Sequence, residues 1–229
     1  LDKNGNKMSK RLGNAVDPFT TVDKFGADAL RWYMSTNSQP WDNLKFDTDG
    51  VVESQRKFLG TLYNTYGFFA IYANIDQFVF RENQQTNIAT RSELDRWILS
   101  KLNSLIQEVT AAFDDYDPTR AARAIEEFVS EQLSNWYVRL SRRTFWKGEL
   151  NIEKQAAYET LYTCLDTIAR MMSPVSPFFS DWLYKNLNAP LIEQNLAPKS
   201  VHLTNWPKVN TGVIQSELEM QMKRAQTVC

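Results

Sequence analysis

Residues 93–113 run ELDRWILSKLNSLIQEVTAAF. Leu94, Trp97, Ile98, Leu102, Leu105, Ile106, Val109 and Phe113 recur there at steps of three and four, the period of one helix face. The stretch predicts a long amphipathic helix, and three more patterns of the same kind surround it. In 51–75 the stripe is Leu59, Leu62, Tyr63, Tyr66, Phe69, Ala70 and Ala73. In 118–147 it is Ile125, Phe128, Val129, Leu133, Trp136, Tyr137 and Leu140, and in 153–172 it is Leu161, Tyr162, Leu165, Ile168, Ala169 and Met172. Four apolar stripes need one another for burial, so the sequence predicts a mainly all-α fold built on an antiparallel helix bundle.

Punctuation agrees with that division. Thr90 with Glu93 fits a capping box. Asp117-Pro118 sets a cap before a first-turn proline, and Gly148 stands just past the third pattern. Pro174 and Pro177 interrupt the fourth, and Ser176-Pro177 restarts it through Trp182, Leu183 and Leu187. Residues 76–90 are polar and read as a longer connection. Only 8 Gly and 8 Pro occur in 229 residues, so turns are few and helices long.

Ahead of the bundle the character differs. Residues 1–14, LDKNGNKMSKRLGN, read as a loop with an excess of positive charge from Lys3, Lys7, Lys10 and Arg11 against Asp2. Asp17-Pro18 opens a short helix that ends at Gly26, and a second helix over 27–36 carries Leu30, Tyr33 and Met34 on one side. Leu44–Phe46 is a candidate short strand. Past Pro190 the chain loosens: 200–203 reads as extended, and Ile214, Leu218 and Met222 mark a last amphipathic helix. Three parts follow: 1–48, 49–188 and 189–229.

Composition excludes several classes. Hydrophobic residues at 43% and charged residues at 23% exclude disorder throughout. The net charge of −1 offers no global basicity, so a nucleic-acid partner must be held by a local patch. Two cysteines, Cys164 and Cys229, cannot form a disulfide framework, and with one histidine, His202, they exclude a His-based metal cluster. No metal ligands are expected. Asp114, Asp115 and Asp117 read as helix caps, Cys164 as a buried thiol and His202 as a packing or hydrogen-bonding residue. No run is long and apolar enough to cross a bilayer and no secretory signal is present, which predicts a cytoplasmic setting.

Two constellations carry chemistry. In Lys7-Met8-Ser9-Lys10-Arg11 two ammonium groups stand three residues apart on a Gly-flanked bend, with a hydroxyl between them. Mobile lysines act as point charges for phosphate oxygens. In the last turns of the third pattern, Arg139, Arg142, Arg143 and Lys147 fall on one arc with Trp146 and no acid between them. At a constant helical pitch that arc overlaps the apolar stripe of the earlier turns. Cations favour a helix C-terminus, and cations beside an aromatic ring also suit phosphates and unstacked bases; spacing leaves both readings open.

The stretch KMSKRLGN resembles the second signature of class I aminoacyl-tRNA synthetases, usually written KMSKS. FGADALRWY (25–33) resembles the segment that follows it in the family's stem-contact region. SNWYVRLSRRTFW (134–146), RSELDRWILSKL (91–102), SPVSPFFSDWLY (173–184) and SVHLTNWP (200–207) resemble the anticodon-binding helical domain of the isoleucyl branch. The resemblance implies a lysine loop and stem-contact module over 1–48, an anticodon-binding bundle over 49–188 and an appendage over 189–229. It implies ATP and Mg²⁺ as requirements of the parent enzyme, with neither held by this chain alone. Lys10 would stabilise charge on the leaving pyrophosphate, Lys7 would support it, and Ser9 would join them in contacting ATP. Arg139, Arg142, Arg143, Trp146 and Lys147 would contact tRNA(Ile). Arg11 departs from the commoner Ser, which leaves no role for a hydroxyl at that position.

The family's first signature, His-x-Gly-His, needs two histidines, and the chain has one. The expectation is therefore a C-terminal portion that works with the remaining domains of the same polypeptide and is inactive alone. A valyl or leucyl enzyme, or a helical protein-interaction module, are the alternatives.

Overall fold

The computed structural model describes residues 1–228, and among them there is no strand. α1 (Pro18–Phe25) and α2 (Ala27–Asn37) follow a 3₁₀ turn at Lys10–Leu12. α3 (Thr48–Ser54), a π-helical segment at Gln55–Leu59 and α4 (Gly60–Ile75) run on as one helix, with helical backbone angles at each junction. After α5 (Glu93–Asp114) comes a second compound helix: α6 (Pro118–Glu127), a π-helical segment at Phe128–Val138 and α7 (Arg139–Trp146). α8 (Ile152–Met172), α9 (Pro177–Leu187), α10 (Ala189–Glu193) and α11 (Ser216–Val228) complete the chain.

Local chemistry places most of the starts. Asp17 accepts the Thr20 N–H and Asp117 the Arg120 N–H, each at 2.9 Å and each before a proline that has no N–H to lose. The capping box lies two residues later than Thr90 and Glu93 suggest. Ser92 Oγ accepts the Asp95 N–H at 3.1 Å, while Thr90 closes a 3₁₀ turn capped by Asn87. Arg91, between the two, bonds Glu159, Thr160 and the Thr86 carbonyl, and α5 begins at Glu93, where the apolar pattern puts it.

α8 is the centre. Sixteen of its 21 residues are buried, which requires neighbours on every side. α5 and α6 form a tight hairpin, α9 folds back along α8, and α4 packs on both α8 and the Phe128–Val138 segment. Trp97, Ile98, Leu102, Ile125, Leu133, Tyr137, Phe145 and Tyr158 fill the space between them. Each such side chain contributes roughly 1.5–3 kcal/mol on burial. Cys164 lies among them, and burial pushes its thiol well above the usual range.

The π-helical segments change which residues face inward. An i→i+5 turn takes more residues than an α-turn, so a run of 11 residues lags the expected phase. Leu140 is accordingly 55% exposed, and Ser141 and Phe145 are buried in its stead. Tyr63 likewise stands exposed and stacks on Trp182, 5.4 Å between centroids. In α2 the inward face is Asp28, Ala29, Trp32 and Tyr33, with Met34 outside.

Two expected extended pieces differ. Leu44–Phe46 meets Leu1 only through two backbone bonds, Leu1 N to Leu44 O and Phe46 N to Leu1 O, too few for a ladder. Val201–Leu203 is a 3₁₀ turn. Asp181 accepts from both the Ser200 hydroxyl and the Val201 N–H, and Ser200 Oγ accepts from His202 N, which curls the chain. His202 itself is exposed. Of the three aspartates, Asp117 caps, Asp115 pairs with Arg120 and Asp114 ends α5. Among the described residues no helix is long and apolar enough to cross a membrane, and Cys229 lies outside them.

Candidate functional site

The lysine loop is tied down through its backbone. Asn14 Oδ1 accepts the Ser9 N–H at 2.9 Å, and Asn14 Nδ2 donates to Asp2 at 3.0 Å and to the Lys7 carbonyl at 3.2 Å. Asp2 also accepts from the Asn4 and Asn6 N–H groups. The Asn14 amide, followed by the Asn6 N–H, holds the Asp2 carboxyl below its ordinary range. Ser9 Oγ caps the Lys10–Leu12 turn by accepting from Arg11 N. That turn closes on Gly13 at φ +69°, a left-handed angle that glycine adopts without a Cβ penalty.

The side chains of the loop are treated differently from its backbone. Lys7, Lys10 and Arg11 are exposed, and none of them forms an ion pair among the described residues. Met8 turns the other way, into a groove of about 410 Å³ with Val16, Leu30, Met34 and Phe46. The loop is therefore a hydrogen-bonded bend that holds three free cations out to solvent. Asn14 and Asp2, which hold it, carry no obvious signal in the sequence beyond the Gly13-Asn14 pair.

The second constellation sits on α7. Arg139, Arg142, Arg143 and Lys147 are exposed, and Trp146 is 62% exposed. None of the four cations is in an ion pair among the described residues. The face beneath them is anchored by Phe145, which meets Phe68 and Tyr158 edge-on at 5.1 Å. The phase lag of the π-helical segment puts the arc on the outer side, opposite the core and not in line with the earlier stripe. Elsewhere in the bundle, two cations are spent on structure. Arg91 pairs with Glu159 at 2.8 Å, both nearly fully buried, and Lys154 pairs with Asp76.

α2 and the arc lie at opposite ends of the compound helix. Its first turns meet α2: Thr119 donates to the Ser38 carbonyl, Arg123 to the Thr36 carbonyl, and Trp32 Nε1 to Glu126 at 3.0 Å. Its last turns carry the arc. At 1.5 Å per residue the span from Pro118 to Trp146 is on the order of 40 Å.

Both constellations fall within segments that known family models match. Residues 1–47 match the family model of class I tRNA synthetases (I, L, M and V), and residues 95–229 match the anticodon-binding domain of tRNA ligase. The chain belongs to this family of tRNA ligases. It is 58% identical over 228 residues to isoleucine–tRNA ligases of Cytophaga hutchinsonii and Bacteroides thetaiotaomicron, covering all of this chain. It is 48% identical to that of Clostridium tetani over 98% of the chain. It spans only about a fifth of the length of these relatives. In fold it is similar to the LeuRS of Agrobacterium radiobacter K84 agnB2, solved in ternary complex with tRNA and LeuAMS. The TM-score is 0.64 at 22% identity, over 94% of this chain and 24% of that one.

The described residues contain no group of three or more His, Cys, Asp or Glu side chains able to hold a metal ion. The cavity lined by Arg170, His202, Asn205 and Trp206, about 280 Å³, lies away from both cation sets, at the end of α8. The Arg170 guanidinium there is already engaged by Asp166 at 2.7 Å.

Proposed function

We propose that the chain is the lysine-loop and anticodon-binding portion of an ATP-dependent isoleucine–tRNA ligase of the cytoplasm. The observation that carries this reading is 58% identity to isoleucine–tRNA ligases along the whole chain. In this reading residues 1–48 complete the catalytic region, 49–188 grip the anticodon stem and loop, and the segment from 189 onward is an appendage. The remaining domains of the polypeptide supply the nucleotide-binding fold and the isoleucine pocket.

During activation the isoleucine carboxylate attacks the α-phosphorus of ATP. The bond from that phosphorus to its bridging oxygen breaks, and pyrophosphate leaves with the electron pair. Lys10 sets its ammonium against the charge that develops on the leaving group, and Lys7 supports it. Both amines suit the task because no carboxylate of the described chain neutralises them. Ser9 contacts ATP through its hydroxyl proton: Oγ accepts from Arg11 N as the turn's cap, which leaves the O–H to donate to a phosphate oxygen. Mg²⁺ finds no cluster of ligands among the described residues, and no step is assigned to it. At the far end Arg139, Arg142, Arg143 and Lys147 meet tRNA(Ile) phosphates and Trp146 offers a stacking face.

The test is isoleucine-dependent ATP–pyrophosphate exchange in the full-length protein. Lys10→Ala is expected to slow exchange by about two orders of magnitude. An unchanged rate removes Lys10 from the reaction.

A further inference from the structure

Asp28 reaches out of its own module. Its Oδ1 accepts from Arg31 at 3.2 Å, while its Oδ2 accepts the backbone N–H of Phe179 at 2.6 Å, across 151 residues of sequence. Phe179 lies in the first turn of α9, where N–H groups lack partners within the helix. The residue at the cap position, Ser176, makes no capping bond there; its hydroxyl is buried without a partner. Asp28 thus supplies from α2 the anion that α9 lacks at its own start, where the helix dipole favours negative charge. Arg31 also lies over the Phe178 ring, 5.6 Å from its centroid.

The other polar links between α2 and the bundle all go to the start of α6, through Thr119, Arg123 and Glu126. α2 also packs on the helix that opens with α3, where Trp32 stacks on Phe58 with 4.0 Å between centroids. Neither of these attachments ties α2 to α9. Asp28 to α9 adds that third anchorage, buried and charge-assisted, hence short and directional.

We propose that Asp28 is a positioning residue: through the Phe179 N–H it fixes the angle between the lysine-loop module and the bundle, so that tRNA held at α7 presents its acceptor end in register with the catalytic site. The proposal rests on the functional reading above. Activation uses only the module and the catalytic fold it completes. Transfer to tRNA also needs the bundle's orientation. Asp28 therefore acts on the second step and spares the first.

The experiment measures three quantities in the full-length protein carrying Asp28→Ala or the near-isosteric Asp28→Asn: exchange, charging of tRNA, and the split of charging into kcat and KM. Displacements of about an ångström remote from the chemistry cost up to about a hundredfold in rate. Asp28→Ala is expected to lower kcat for charging about tenfold, with exchange and the KM for tRNA within about twofold of the parent. Asp28→Asn, which keeps an acceptor oxygen without the charge, is expected to fall between; it carries the same comparison if the alanine variant does not fold. Unchanged charging, or exchange and charging falling by one common factor, overturns the proposal. A parent protein that neither exchanges nor charges overturns the functional reading instead, and the proposal with it.

Discussion

The lysine loop and the basic arc both hold unpaired cations to solvent, but they are built by different physics. The loop lies outside the packed core, and Met8 turns from it into an apolar groove. Its shape comes from a few hydrogen bonds through Asn14, Asp2 and Ser9 and from two left-handed glycines, Gly5 and Gly13. The arc stands on a packed helix whose inner side is Phe145, Ser141 and Tyr137. The difference teaches what each can do. A bend held by hydrogen bonds can be remade around a nucleotide at small energetic cost, whereas cations on a packed helix present a fixed template. Asp28 matters in this contrast because it joins the adjustable end to the fixed one.

The contrast breaks most visibly beneath the arc. Phe145→Ala removes a fully buried ring from between Phe68 and Tyr158. It is expected to cost about 3–5 kcal/mol of global stability by denaturant titration. A loss under about 1 kcal/mol would mean that the arc does not rest on the core as described. The loop should behave in the opposite way. Asn14→Ala deletes three bonds near the surface and is expected to cost no more than about 1 kcal/mol globally. The same variant should raise amide exchange and proteolysis at residues 7–13, while those in α7 keep their protection. A variant with unaltered exchange in the loop would show that Asn14 is not its fastener.

Much of this architecture could be read from spacing alone. The stripes in 93–113 and 153–172 became α5 and α8, and Asp17-Pro18 and Asp117-Pro118 became starts, because local chemistry settles both. What spacing misjudged has a common cause in long-range partners. The cap of α5 is Ser92 and not Thr90, with Arg91 between them held by Glu159 and Thr160 in α8. Asp181 curled residues 200–203 out of extension. The π-helical segment at Phe128–Val138 shifted the phase of the third pattern, so a fixed pitch aligned the arc with the apolar stripe when it lies opposite. The lysines of the loop were visible as a motif. The side chains that shape it, and the bond from Asp28 to α9, appear only once the chain is folded.

Central to the proposed function is the meeting of the free cations of α7 with the phosphates of tRNA. The most direct measurement is the affinity of the full-length protein for tRNA(Ile) across a series of salt concentrations, for the parent and for Arg142→Ala with Arg143→Ala. Every phosphate left without its cation should flatten the log–log slope by about 0.7–0.9, so the double variant is expected to bind more weakly and to give up about one to two units of slope. Affinity and slope that both survive the two substitutions would contradict it.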